Sequence, residues 1–214
     1  MNSLTDNLTS IAEQIRLSFS AKDAAREKTL PLCRDVIRCC SQAIRAVHRQ
    51  EFDQAKELLE SARKLLDEVE QTVVNCSEFT GAGFVRDAQK EFAEGIITLA
   101  LVQGKPLPSP GEMGIDAAAY LNGLGEAVGE LRRYLLDSMR QGDLSRGEEL
   151  LSDMDDIYSV LVTMDFPDAI TGGLRRTTDM VRGVLEKTRS DLTLVIRQKD
   201  LENKLGQFSE ESTK

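Results

Sequence analysis

The sequence predicts an all-α protein. Apolar residues recur at helical spacing along almost the whole chain, and no convincing alternation marks a strand. Among 214 residues, 29% are charged, 5% are aromatic and none is tryptophan, a helix-forming balance with few bulky groups. The length suits one large domain or two small ones with a sizeable core.

A long first helix is expected from about Leu4 to Arg49, bent near Pro31, which removes a backbone donor. A second runs from about Asp53 to Cys76, and a third from Gly83 to Gln103. "GKPLPSPGEMG" (104–114) is the strongest break, with three prolines and three glycines in eleven residues. A fourth helix follows from Asp116 to Arg140 and stops at Gly142, suited to a left-handed terminal turn. The fifth spans about Ser145 to Met164; "DFPDAITGGLRR" then gives a turn and a short helical piece. A last long helix runs from about Thr177 to Leu205, so residues 1–205 form one domain and 206–214 a frayed, disordered tail. A first helix this long cannot bury its apolar face within one small chain, which favours packing against another subunit.

The longest apolar run, "IITLALV", is too short to span a membrane, and the N-terminus lacks a signal-peptide pattern, so a cytoplasmic protein is expected. The four cysteines (33, 39, 40 and 76) form no C-x-x-C and His48 is the only histidine, which disfavours zinc. The cysteines and His48 read as structural. A net charge of −9 opposes indiscriminate nucleic-acid binding while leaving local patches open.

At about 100° per residue, the fourth helix gathers Leu121, Leu124, Val128, Leu131 and Leu135 on one face. Glu126, Glu130 and Asp137 lie opposite, beside Gly123 and Gly129. The third helix repeats the arrangement: Phe84, Val85, Ala88, Phe92, Ile96 and Leu99 form the core stripe, and Asp87, Glu91, Glu94 and Thr98 share another face. An acidic face is ordinarily just solvated. Here, however, like charges stand four apart in both helices, and each interior glycine costs about 1 kcal/mol against alanine. Close approach by a second helix or a ligand would compensate. If the two helices lie antiparallel, their carboxylates could converge on one pocket. Such a group repels by ~4 kcal/mol per pair at 4 Å, and a hard divalent cation such as Mg²⁺ would relieve it.

On the first helix Arg34, Arg38, Arg45 and Arg49 fall within a narrow arc with Ser41 and Gln42 beside them. Such a row either tracks successive phosphates or, more commonly, pairs with acids on a neighbouring helix. Arg175, Arg182 and Arg189 on the last helix leave the same two readings open.

Four segments, "LCRDVIRCCSQAIRAVHR", "KEFAEG", "AYLNGLGEAVGELRR" and "VRGVLEKTRSDLT", together resemble the translin family, in order along nearly the whole chain. The nearer likeness is to its catalytic branch, translin-associated factor X, in its compact archaeal form. The resemblance implies an all-α fold of about six to seven helices that builds a hollow homo-oligomer, usually an octamer. It also implies a Mg²⁺-dependent endoribonuclease, with Mn²⁺ able to substitute, acting on single-stranded RNA inside the shell. Its acidic set maps onto Glu91 and Glu94 in "KEFAE" and onto Glu126 and Glu130 in "EAVGEL". Glu126 stands where the catalytic branch usually has aspartate, one methylene shorter. Glu91, Glu94 and Glu126 are expected to hold the metal, Glu130 to be a ligand or to support one, and Arg34, Arg38, Arg45 and Arg49 to capture RNA. The competing readings are a translin-like binder of single-stranded RNA or DNA without catalysis, and a helical scaffold that binds neither.

Overall fold

The computed structural model describes residues 7–73 and 81–211. Among the described residues there are eight helices and no strand. They are α1 (Leu8–His48), α2 (Phe52–Val73), α3 (Gly83–Val102), α4 (Pro110–Met113), α5 (Ala117–Arg140), α6 (Gly147–Val162), α7 (Asp168–Thr171) and α8 (Leu174–Glu211).

α1 continues through Pro31 without ending, and its buried positions begin only at Thr29. From there Cys33, Val36, Cys40, Ala43 and Val47 repeat every three or four residues, with Ile44 beside them, and pack on α2 and α3. α2 answers with Ala55, Leu59, Ala62, Leu66, Val69 and Val73. The expected extension of this second helix to Cys76 lies outside the described residues.

The proline-rich break contains a helical turn. Ser109 Oγ accepts from Glu112 N at 3.3 Å while Glu112 Oε2 accepts from Ser109 N at 2.7 Å, a capping box with Pro110 in the first turn. Gly114, at φ 59°, ends it. α5 starts at Asp116, whose Oδ1 accepts from the amides of Ala118 and Ala119 at 2.9 and 3.3 Å. Its C-terminus is followed by Gly142 at φ 78°, as the sequence suggested.

α5 is the centre of the fold, touching α3, α6, α7 and α8. The leucine–valine stripe is buried at Leu124, Val128, Leu131 and Leu135, with Leu121 partly so. A second buried line, Ala119, Gly123 and Ala127, is too small to register as a stripe by hydrophobicity. Gly123 sits on that line: a Cβ there would come within 2.6 Å of both Ala93 Cβ and the Lys90 carbonyl. α3 and α5 can therefore touch backbone to backbone.

Two expectations are corrected. The last helix reaches Glu211, beyond the end expected at Leu205, so residues 206–211 are helical and not a frayed tail. Thr98, expected on the acidic face of the third helix, is fully buried, because α3 is enclosed on all sides from Ile97 to Val102. Cys33 and Cys40 are buried and Cys39 half-buried, all as free thiols.

Candidate metal centre

The Gly123 contact brings "KEFAE" and "EAVGEL" together. α3 carries Glu91 and Glu94 one turn apart, and α5 supplies Glu126 a turn beyond the glycine. One carboxylate oxygen from each of Glu91, Glu94 and Glu126 lies within 4.8 Å of the other two. All three residues are half-buried. Gly125 lies in the same stretch but serves α8, since a Cβ there would meet Thr177 Cγ2 at 2.4 Å. Gly129 faces open space.

Charge crowding shows in the protonation of the trio. Burial, then the carboxylates of Glu91, Glu126 and Glu130, pushes Glu94 up to about 8. Burial also raises Glu91, with the neighbouring Lys90 opposing it. Lys90 donates to Glu126 at 2.7 Å and lies 3.9 Å from Glu91. Burial pulls that ammonium down, yet the bond to Glu126 and the surrounding acids outweigh it and hold it above its ordinary value. The thiol of Cys40 is likewise raised, first by burial and then by Glu91.

Glu130 stands apart from the trio. Its Oε2 is taken by His48 Nε2 at 2.5 Å and lies 3.6 Å from Arg133 Nη1. The bond from His48 outweighs burial and, with the charge of Arg133, keeps Glu130 below the ordinary carboxylate range. So one carboxylate of the expected four is stabilised as an anion by protein groups while Glu94 is driven toward its neutral form. Its link to a residue on α1 is the feature that the sequence reading of His48 missed.

The donor set fits a hard divalent cation. Mg²⁺ held about 2.1 Å from octahedral oxygens places those oxygens roughly 3 to 4 Å apart, and small rotamer changes would close the trio to that span. Lys90 holds Glu126 through Oε1, which leaves the second oxygen of that carboxylate to face a cation. Glu126, despite its extra methylene, brings a carboxylate oxygen within 4.8 Å of those of Glu91 and Glu94.

The arginine row is exposed along α1 at Arg34, Arg38 and Arg45 and just past its end at Arg49. It is not uniform. Arg38 pairs with Asp35 at 3.0 Å and Arg49 with Glu51 at 2.7 Å, whereas Arg34 and Arg45 make no ion pair among the described residues. On α8, Arg189 reaches Asp155 of α6 at 2.9 Å, the inter-helix pairing that was one of its two readings.

No family model matches the chain. It is similar to an uncharacterized protein of Methanocaldococcus jannaschii, with 32% identity over 190 residues covering 86% of this chain and 82% of that one. It is also similar to AfC3PO in its complex with duplex RNA: 30% identity, TM-score 0.77, and coverage of 87% of this chain and 97% of the other. The chain belongs to the translin/C3PO family. A second C3PO, apo-NeC3PO, shares the fold at TM-score 0.75 with 18% identity, over 91% of this chain and 100% of its own. In this translin/C3PO chain the acidic residues anticipated from sequence fall in one place for three of the four. No helix among the described residues is long and apolar enough to cross a membrane.

Proposed function

We propose that this translin/C3PO protein is a metal-dependent endoribonuclease of the catalytic branch, acting on single-stranded RNA within a homo-oligomeric shell. The observation that carries this reading is the trio of Glu91, Glu94 and Glu126, with oxygens within 4.8 Å of one another and one carboxylate pushed up to about 8. Keeping like charges this close is unfavourable unless a cation or proton shares them.

Mg²⁺ or Mn²⁺ held there would supply Lewis-acid stabilisation of charge on a scissile phosphate and would acidify water. The chain's own groups do the rest. Glu91, Glu94 and Glu126 hold the cation in a site half closed to solvent. Glu130, kept ionised by His48 and Arg133 and so a weak base, adds a fixed negative charge beside the trio and orients water by accepting its hydrogen bond. Arg34 and Arg45, unpaired on α1, attract RNA at long range.

The contact with nucleic acid is supported by AfC3PO, which was solved with duplex RNA. Assembly is supported by exposed apolar side chains: Leu8, Ile11, Ile15, Leu17 and Phe19 on α1, and Leu194 and Leu201 on α8. Those on α1 and Leu201 lie beyond the packed part of their helices, Leu194 faces away from the core, and in an oligomer they would be covered. An octamer is the size the family resemblance implies; light scattering decides it, and a strict monomer would contradict the assembly reading.

The activity is tested by incubating labelled single-stranded RNA with the protein and Mg²⁺. Cleavage that disappears in EDTA and in Glu94→Gln is expected. Binding without cleavage at high protein concentration would leave the alternative, a non-catalytic binder of single-stranded RNA or DNA.

A further inference from the structure

A groove of about 630 Å³ opens beside the carboxylate trio, between α3, α5, α7 and the first turns of α8. Glu126 forms part of one wall, so groove and trio share a residue. Lys90, Arg86 and Arg176 also line it. Lys90 is engaged by Glu126. Arg86 and Arg176 make no ion pair among the described residues, although Asp87 and Asp168 line the same groove. Arg86 is half-buried and Arg176 exposed, and half-buried arginines elsewhere do have partners: Arg132 with Asp191 at 2.7 Å and Arg146 with Glu149 at 2.6 Å. A half-buried arginine left unpaired among available acids points to a ligand.

The walls are held in place before any ligand arrives. Asn122, buried on α5, donates from Nδ2 to the carbonyls of Ala118 and Thr171, each at 2.8 Å, and accepts from Thr177 Oγ1 at 2.7 Å. That one amide ties α5, α7 and α8 together beneath the groove. Gly172 and Gly173, at φ 64° and 87°, present bare backbone, and the Arg86 side chain lies against the first: a Cβ on Gly172 would come 3.3 Å from Nη1. Met180 adds an apolar surface at the rim.

We propose that this groove binds the nucleotide next to the scissile phosphate, with Arg86 and Arg176 holding its phosphate. The inference rests on the nucleic-acid reading above and names where the strand lies. A guanidinium fork matches phosphate oxygens in a way that no cation of the trio's wall is free to do. Asp87 and Asp168, which accept but do not donate when ionised, face the same space and suit ribose hydroxyls. The sugar and base rest on Met180 and the glycine backbone. The row on α1 then serves encounter, and the groove serves register.

The test uses a fluorescein-labelled single-stranded RNA in EDTA, so that no cleavage intervenes, with affinity measured across salt concentrations. Arg86→Gln/Arg176→Gln is expected to bind about tenfold more weakly at low salt, with the slope of log affinity against log salt reduced by about 1.4 for two lost contacts. Arg176→Gln alone, at an exposed position, should take about half of that slope and guards against misfolding of the double variant. DNA of the same sequence should bind the wild-type protein more weakly than RNA. Wild-type affinity and slope in both variants would overturn the groove assignment alone, and equal affinity for DNA would overturn the ribose contacts. RNA binding without Mg²⁺-dependent cleavage would remove the nuclease reading and leave the groove as a nucleotide site in which Arg86 and Arg176 hold a phosphate. No binding by the wild-type protein would remove both.

Discussion

His48 Nε2 and Glu130 Oε2 meet at 2.5 Å, joining the last turn of α1 to α5 across 82 positions of sequence. The other ring nitrogen, Nδ1, is buried with no partner among the described residues. A hydrogen there would be an unsatisfied buried donor, whereas a hydrogen on Nε2 is satisfied by the carboxylate, so Nε2 is the donor in this pair.

Glu130 is held below its ordinary value by this bond, so its contribution to stability is present above the unfolded value of 4.5 and is lost as pH falls through the lowered folded value. His48→Ala should destabilise the protein by about 2 kcal/mol near neutral pH, the scale of a charged hydrogen bond. The gap from wild type should narrow as pH drops below 4.5. Denaturant melts across pH check this, and a gap that stays constant would assign His48 to packing alone.

Glu94 has the opposite sign. Raised to about 8, it favours the folded state while protonated, fully so below 4.5, and that stability is lost as pH rises through about 8. Glu94→Gln should therefore be more stable than wild type at pH near 9, by on the order of 2 kcal/mol, and little different in acid. Mn²⁺ binding near pH 7 should release close to one proton, read by calorimetry in buffers of different ionisation enthalpy. Binding with no proton release would show that Glu94 stays outside the coordination.

Lys90 occupies the neighbourhood that a cation must enter, donating to Glu126 at 2.7 Å. Lys90→Met removes a like charge from that space while keeping the stem's packing. Mn²⁺ affinity of this variant should rise about tenfold, or roughly 1.4 kcal/mol. Weaker binding would mean that Lys90 orients Glu126 as a ligand.

The glycines give a paired stability test. Gly123→Ala would drive a methyl into Ala93 and the Lys90 carbonyl, separating α3 from α5, and should cost about 3 kcal/mol together with Mn²⁺ binding. Gly129 meets nothing within 4 Å, so Gly129→Ala should add about 1 kcal/mol through helix propensity. Thermal melts of the two variants decide it, and a loss in both would mean that Gly129 is covered in the assembly.

Helix periodicity and punctuation made the architecture readable from the chain alone. The spacing of Leu124, Val128, Leu131 and Leu135 marks a buried face, and Asp116 and Gly142 mark the ends of α5 because caps act locally. "KEFAE" and "EAVGEL" likewise named the residues of the trio, through their resemblance to a family pattern. The tail was misread because 206–211 carries Gly206 and little hydrophobic stripe, yet the helix propagates through it. Whether the two acidic segments meet depended on Gly123, whose missing side chain registers in no hydrophobic pattern and matters only against Ala93 and Lys90. The same holds for Glu130, drawn aside by a histidine on another helix, and for Arg86 and Arg176, on separate helices around one groove. A chain's periodicity fixes which face of a helix is apolar, whereas the distance between two charges on different helices is set by how those helices pack.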